Sequence, residues 1–210
     1  KLSATSLVSA TAGTSTSAIG VSWTSITGAD SYEIYRSTST TAPSEGIDIA
    51  ELAYSGITEL NHDDTADDST VVPGKRVYYW VRGRANSSNS VSAWKRSTTY
   101  GYKRLQAIDD LDAYNGYSTN WHLRLSWTPI VGADAYYIYR TASPGVSTDN
   151  LHTPSTNDGS NPTTSSPYTD YQDGDSLDFR YYRVRPYASD TDSYGSLSNE
   201  DHDYLGYPGG

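Results

Sequence analysis

The sequence predicts an all-β chain made of one unit written twice, on three observations. The run Val21–Arg36, which holds Ser22-Trp23, Gly28-Ala29-Asp30 and Tyr32-x-Ile34-Tyr35-Arg36, returns as Leu125–Arg140 at an offset of 104 residues. Within each copy, large apolar residues recur at every second position of short segments. Between those segments lie clusters of Gly, Pro, Asn, Asp, Ser and Thr, the residues that build turns. A length of 210 residues also fits two domains of roughly 100 better than one large core. The expected division is 1–102 and 103–210.

Taken in order, Ile19-Gly20-Val21-Ser22-Trp23 alternates with its apolar members on one face. In the next strand Tyr32 and Ile34 face in, and Glu33 and Tyr35 face out. Val77, Tyr79 and Val81 then alternate with Tyr78, Trp80 and Arg82; the segment returns as Arg180–Arg185. Ile47–Leu52 has some helical character but is too short to outweigh the strand pattern. Tyr100–Leu105 joins the copies through aromatic and apolar anchors with no Gly/Ser-rich spacer, which predicts a short, semi-rigid junction.

Composition narrows the class. The chain has 25 acidic and 15 basic side chains, a net charge of −10, no cysteine, no methionine, one phenylalanine, five tryptophans and 20 tyrosines. The aromatics supply area to bury despite a hydrophobic fraction of 35%, and they argue against disorder. Without cysteine there is neither a disulfide framework nor a thiolate ligand or nucleophile. No apolar run approaches the roughly 20 residues of a membrane helix, and the acidity repels nucleic acid. The absent methionine reads as a processed or excised piece whose leader is gone.

A strand ending in Trp, then Gly-Ala-x-x-Tyr-x-Ile-Tyr-Arg, then Pro73-Gly74 ahead of a Tyr-x-Val-Arg strand, resembles the fibronectin type III family. More narrowly, each copy closes on Gly-Tyr (Gly101-Tyr102, Gly206-Tyr207), similar to the bacterial version found in tandem arrays of secreted proteins. The resemblance covers both copies. It implies two seven-stranded antiparallel, immunoglobulin-like sandwiches, three strands against four, with Trp23 and Trp127 at the core centres. The tyrosine that usually makes that family's corner hydrogen bond would fall at Val77 and Arg180, so that device is missing or displaced. Ser147–Pro167 is longer than the family's connection.

The chemistry-bearing patterns are few. The four histidines (His62, His122, His152, His202) lack metal-binding spacing, and neither a nucleophile elbow nor a phosphate-binding loop is present, so the chain reads as a non-enzyme. Residues 1–104 hold 10 acidic and 10 basic side chains, and residues 105–210 the remaining 15 and 5. The second copy thus carries the whole net charge, which serves solubility or complements a basic surface on another unit. The acidic string around Asp170, Asp173 and Asp175 offers oxygens of the kind calcium takes, against its reading as ordinary turn residues. Outward positions Tyr35, Tyr78, Trp80, Arg82, Tyr139, Tyr181 and Arg183 form either a cross-strand ladder or an interaction surface for a sugar ring or another protein. Asn86-Ser87-Ser88 is a glycosylation sequon.

These readings favour a non-catalytic structural module of an extracellular or cell-surface protein: a spacer, an adhesive stalk or a filament-forming subunit. The alternative is a carbohydrate- or protein-binding accessory module. The expected partners are other protein copies, neighbouring repeats or polysaccharide, with neither nucleic acid nor membrane insertion; no cofactor is expected beyond the calcium considered above.

Overall fold

The computed structural model describes residues 2–48, 51–115, 122–154, 158–171 and 179–204. The chain divides into two compact units, Lys1–Arg104 and Leu105–Gly210. The first unit extends past Tyr102 because Lys103 and Arg104 bond back into it. The buried Lys103 Nζ donates to the Ala66 carbonyl at 2.6 Å, and the Arg104 N–H donates to the Ser15 carbonyl at 2.8 Å.

Among its described residues the first unit has eight strands: β1 (Val8–Ala10), β2 (Ile19–Trp23), β3 (Ser31–Ser37), β4 (Tyr54–Ile57), β5 (Asn61–Asp64), β6 (Tyr78–Ala85), β7 (Ser90–Val91) and β8 (Lys95–Arg96). One sheet has the order β1-β2-β5; the other has β4-β3-β6-β7, with β8 also pairing β6. All pairs are antiparallel, and β7 and β8 are two pieces of one interrupted last strand. Val8, Ile19, Val21 and Trp23 from one sheet meet Tyr32, Ile34, Tyr79 and Val81 from the other in a single core.

The second unit repeats this with β9 (Asp112–Asn115), β10 (His122–Ser126), β11 (Ala135–Thr141), β12 (Tyr168–Tyr171), β13 (Phe179–Ala188), β14 (Ser193–Tyr194) and β15 (Asp201–Tyr204). Its sheets are β9-β10-β12 and β11-β13-β14, with β15 also pairing β13. Leu123, Leu125 and Trp127 pack against Tyr136, Ile138, Tyr182 and Val184. No strand equivalent to β4 forms among the described residues. The long Ser147–Pro167 stretch instead borders β11 through bridges from Leu151 to Tyr139 and from Thr163 to Tyr136. Asn161 fixes it there: its amide accepts from the Ile138 N–H and donates to the carbonyls of Ile138 and His152.

The repeated motif owes its residue choices to one turn. Gly28 and Gly132 take φ of 83° and 86°, left-handed values that glycine adopts at no steric cost. The turns close with Ala29 N–H to Ile26 O and Ala133 N–H to Ile130 O, each at 3.1 Å. The hydroxyls of Tyr32 and Tyr136 accept the N–H of Ile26 and Ile130 at 3.0 and 2.8 Å. Asp30 and Asp134 cap the far hairpin, accepting from the N–H groups of Asn86 and Ser189. The Trp–Tyr pairs, Trp23–Tyr32 and Trp127–Tyr136, sit at ring distances of 5.4 and 5.3 Å.

Candidate functional site

Each unit contains a buried polar clamp between its sheets. In the first, Asp64 on β5 points into the sandwich with no exposed surface. Its carboxylate accepts from Tyr79 on β6 (2.8 Å), from Tyr54 on β4 (2.7 Å), from Arg36 at the end of β3 (2.8 Å) and from the Ala66 N–H (3.1 Å). Arg36 also bridges to Asp68. Burial and the Asp64 charge push the Tyr79 phenol far above its ordinary value, so it stays a donor.

The second unit rebuilds the clamp from matching strands. Asp170 on β12, equally buried, accepts two bonds from Arg140 on β11 (2.7 and 2.8 Å) and one from Tyr182 on β13 (2.6 Å). Burial followed by the Asp170 charge raises the Tyr182 phenol well above its usual range. His152, from the long connection, lies beside the buried Asp170. Its Nε2 lies 3.2 Å from Asp158 Oδ2 and 3.6 Å from Asp170 Oδ1. Asp158 in turn accepts the Tyr171 N–H at 2.6 Å. Burial, with Arg140 acting the same way, holds the imidazole below its ordinary value against the pull of Asp170 and Asp158.

The acidic string therefore divides. Asp170 is an interior anion that accepts from Arg140 and Tyr182. Asp173 and Asp175 lie outside the described residues. The histidines' sequence spacing, which offered no metal site, did not foretell that the fold brings His152 between two carboxylates.

The outward aromatic rows differ between the units. In the first, Trp80 is 2% exposed and Arg82 4%, so they form no open surface. Arg82 lies under Trp94, its guanidinium 4.3 Å from the ring centre, and donates to the Glu45 carbonyl. Trp94 is tied down by its Nε1–H to the Ser44 carbonyl at 3.3 Å. Glu33, expected outward, is buried between Arg82 and Arg84, and both guanidiniums donate to it. Half-buried Tyr35 and Tyr78 pack against Trp80. The stretch before β4 thus holds Trp94 and Arg82 through the Ser44 and Glu45 carbonyls.

In the second unit Tyr139 is likewise buried, but the row along β13 stays accessible. Tyr181 is half-buried and stacks on His202 at 4.7 Å and 18° between planes. Phe179 and Tyr204, 47% and 36% exposed, meet at 5.2 Å. Arg183 is half-buried, 3.7 Å from Glu200, whose carboxylate also accepts the N–H groups of Gly145 and Val146. Farther along, Tyr137, Tyr187 and Tyr194 cluster with ring distances of 4.8–5.8 Å, and Arg185 lies 4.6 Å from the Tyr194 ring centre. Burial and the hydrogen bond with Tyr137 push the Tyr194 phenol up to about 12. Phe179, Tyr187, Tyr194, His202 and Tyr204 were not among the residues singled out from sequence. The signal for the first two was there, since the alternation at Tyr181, Arg183 and Arg185 simply continues in both directions.

No family model and no curated protein matches the chain. Among solved structures, it is similar to the chicken CNTN1 FN1–FN3 domains at 12% identity and a TM-score of 0.38, covering 96% of this chain and 66% of that one. It is also similar to a Fn3-like protein from Clostridium thermocellum at 26% identity and a TM-score of 0.33, covering 47% of this chain and 91% of that one. A third likeness is to the chicken interferon gamma receptor alpha chain, at 7% identity and a TM-score of 0.43, covering 96% of this chain and 98% of that one. The strand order itself carries the fold assignment. With three strands in one sheet and the remainder of each unit in the other, both units are antiparallel sandwiches of the fibronectin type III and immunoglobulin-like kind.

Proposed function

We propose that the chain is a non-catalytic structural module of an extracellular or cell-surface protein, its tandem sandwiches serving as a spacer, stalk or filament-building unit. The observation that carries this reading is the reuse of one inter-sheet clamp in both units: Asp64 and Asp170, buried acids of a kind that could do chemistry, are spent on holding sheets together. The resemblance of the sequence to bacterial secreted arrays supports the location, and no described helix is long and apolar enough to cross a membrane. Light scattering over a concentration series tests the assembly arm. A mass fixed at 22.9 kDa supports a spacer, whereas concentration-dependent growth supports a filament subunit.

A second reading has its own observation, the accessible row of Phe179, Tyr181 and Tyr204 on the second unit. Flat aromatic faces of this kind suit a sugar ring or a protein partner. Affinity electrophoresis in polysaccharide gels tests it: retardation lost in Phe179→Ala supports binding, and unretarded migration of the unaltered chain counts against it.

A further inference from the structure

The two units close the same side of the sandwich by different means. In the second, Leu111, Ala113 and Asn115 turn their N–H groups away from β10, along the outer edge of β9. Asn199, Asp201 and Asp203, alternate residues in and just ahead of β15, meet them there with side-chain oxygens at 3.0, 2.7 and 2.5 Å. The Asn199 amide also donates to the Leu111 carbonyl at 2.9 Å, so its side chain exchanges both bonds as a residue of a neighbouring strand does. Asn115 Nδ2 donates to the Tyr204 carbonyl at 3.3 Å. Each of these bonds starts or ends on a side chain, while the main chain of β15 pairs with β13.

In the first unit that side is closed main chain to main chain. The Thr98 N–H donates to the Val8 carbonyl at 3.0 Å, the Tyr102 N–H to the Thr11 carbonyl at 3.2 Å and the Gly13 N–H to the Tyr102 carbonyl at 2.9 Å. Those bonds do not depend on which side chains the residues carry; the ones in the second unit do.

An edge whose N–H groups point outward is a template on which another strand adds. The β9 edge suits a copy of itself. In an antiparallel pair about a two-fold axis at Ala113, each Ala113 would exchange both bonds with its mate. Leu111 would then face Asn115 and Asp112 would face Tyr114, so no like charges stand opposite each other. Such a contact is isologous and closes as a dimer.

We propose that Asn199, Asp201 and Asp203 are an edge lock: they occupy the N–H groups of β9 and thereby keep a second copy of the chain from pairing with it there. Carboxylate acceptors make the stronger bonds to those groups, which gives two of the second unit's acids a use beyond solubility. The lock acts whether the unaltered chain is a spacer or assembles through another surface.

Light scattering over a concentration series, with amide hydrogen exchange read at Ala113 and Asn115, tests this on the full chain. Asp201→Ala/Asp203→Ala should reach about twice the mass of the unaltered chain at the same concentration, with exchange at both amides slowing as the mass grows. Glu59→Ala/Asp149→Ala, which removes the same charge from exposed positions outside the seam, should keep the mass of the unaltered chain. An unchanged mass in Asp201→Ala/Asp203→Ala would overturn the proposal, as would equal growth in the control pair or growth that leaves exchange at Ala113 and Asn115 fast. Should that double variant not fold, Asp203→Ala alone decides. Association with slowed exchange at Asn115 supports the lock, and a mass equal to that of the unaltered chain overturns it.

Discussion

The Tyr79 hydroxyl on one sheet donates to Asp64 on the other at 2.8 Å, and Tyr182 donates to Asp170 in the same way at 2.6 Å. Each carboxylate is also paired with an arginine from the strand beside that tyrosine, Arg36 or Arg140. The corner tyrosine implied by the family resemblance is absent from Val77 and Arg180, and two positions farther along β6 and β13 a tyrosine ties the sheets together through a buried acid.

This pairing sets an alkaline limit on stability. Tyr79 and Tyr182 have folded-state values raised above the ordinary tyrosine value of about 10, so the folded chain keeps protons that the unfolded chain releases. Their contribution is fully present below about pH 10 and is lost as pH rises above it. Denaturant midpoints should therefore be flat in this respect from neutrality to about pH 10 and then fall. Tyr79→Phe and Tyr182→Phe should each flatten that fall, at a cost at neutral pH of about 1–3 kcal/mol from the unpaired acid.

Trp80 should behave as a core residue. Its burial predicts that Trp80→Ala destabilises the first unit by about 3–5 kcal/mol, read as an early transition in calorimetry. If the variant stays folded, its migration in polysaccharide gels should match that of the unaltered chain.

Glu33 should be similarly sensitive. It is 1% exposed and receives both Arg82 and Arg84, so Glu33→Ala leaves a buried Arg82 guanidinium without its anion. A loss of about 3 kcal/mol in the first unit is expected, while the second unit, with Tyr137 at the matching position, melts unchanged.

At Gly101 the backbone packs closely against core side chains. A Cβ there would stand 2.5 Å from Ile19 Cγ2 and 3.0 Å from Ala10 Cβ, so Gly101→Ala must move core side chains. Urea unfolding should show about 1–3 kcal/mol of destabilisation.

What was legible in the sequence followed from periodicity. Ile19, Val21, Trp23, Tyr32, Ile34, Val77, Tyr79 and Val81 recur at every second position of their segments and are all buried, and the Gly28 and Gly132 turns repeat with their neighbours, so strands and copies could be placed. The burial of Trp80 was not legible, because the neighbouring Trp94 and Arg82 are held through Ser44 and Glu45 carbonyls that any residue supplies. Asp170 looked like a turn residue because acids continue after it, yet β12 runs on to Tyr171 and its pleat turns Asp170 inward. His152, Asp158 and Asp170 come together across an irregular connection, where spacing carries no geometric information.

The clamp is the most direct point at which to test a structural role for the buried acids. Asp64→Asn and Asp170→Asn should each be compared with the unaltered chain by calorimetry and chemical denaturation at neutral pH. The account predicts a loss of about 3 kcal/mol in the unit that carries the substitution, the lower end for a broken buried pair because each arginine partly reaches water. Variants as stable as the unaltered chain would contradict it, because the two acids would then be held in place by the fold and not holding it.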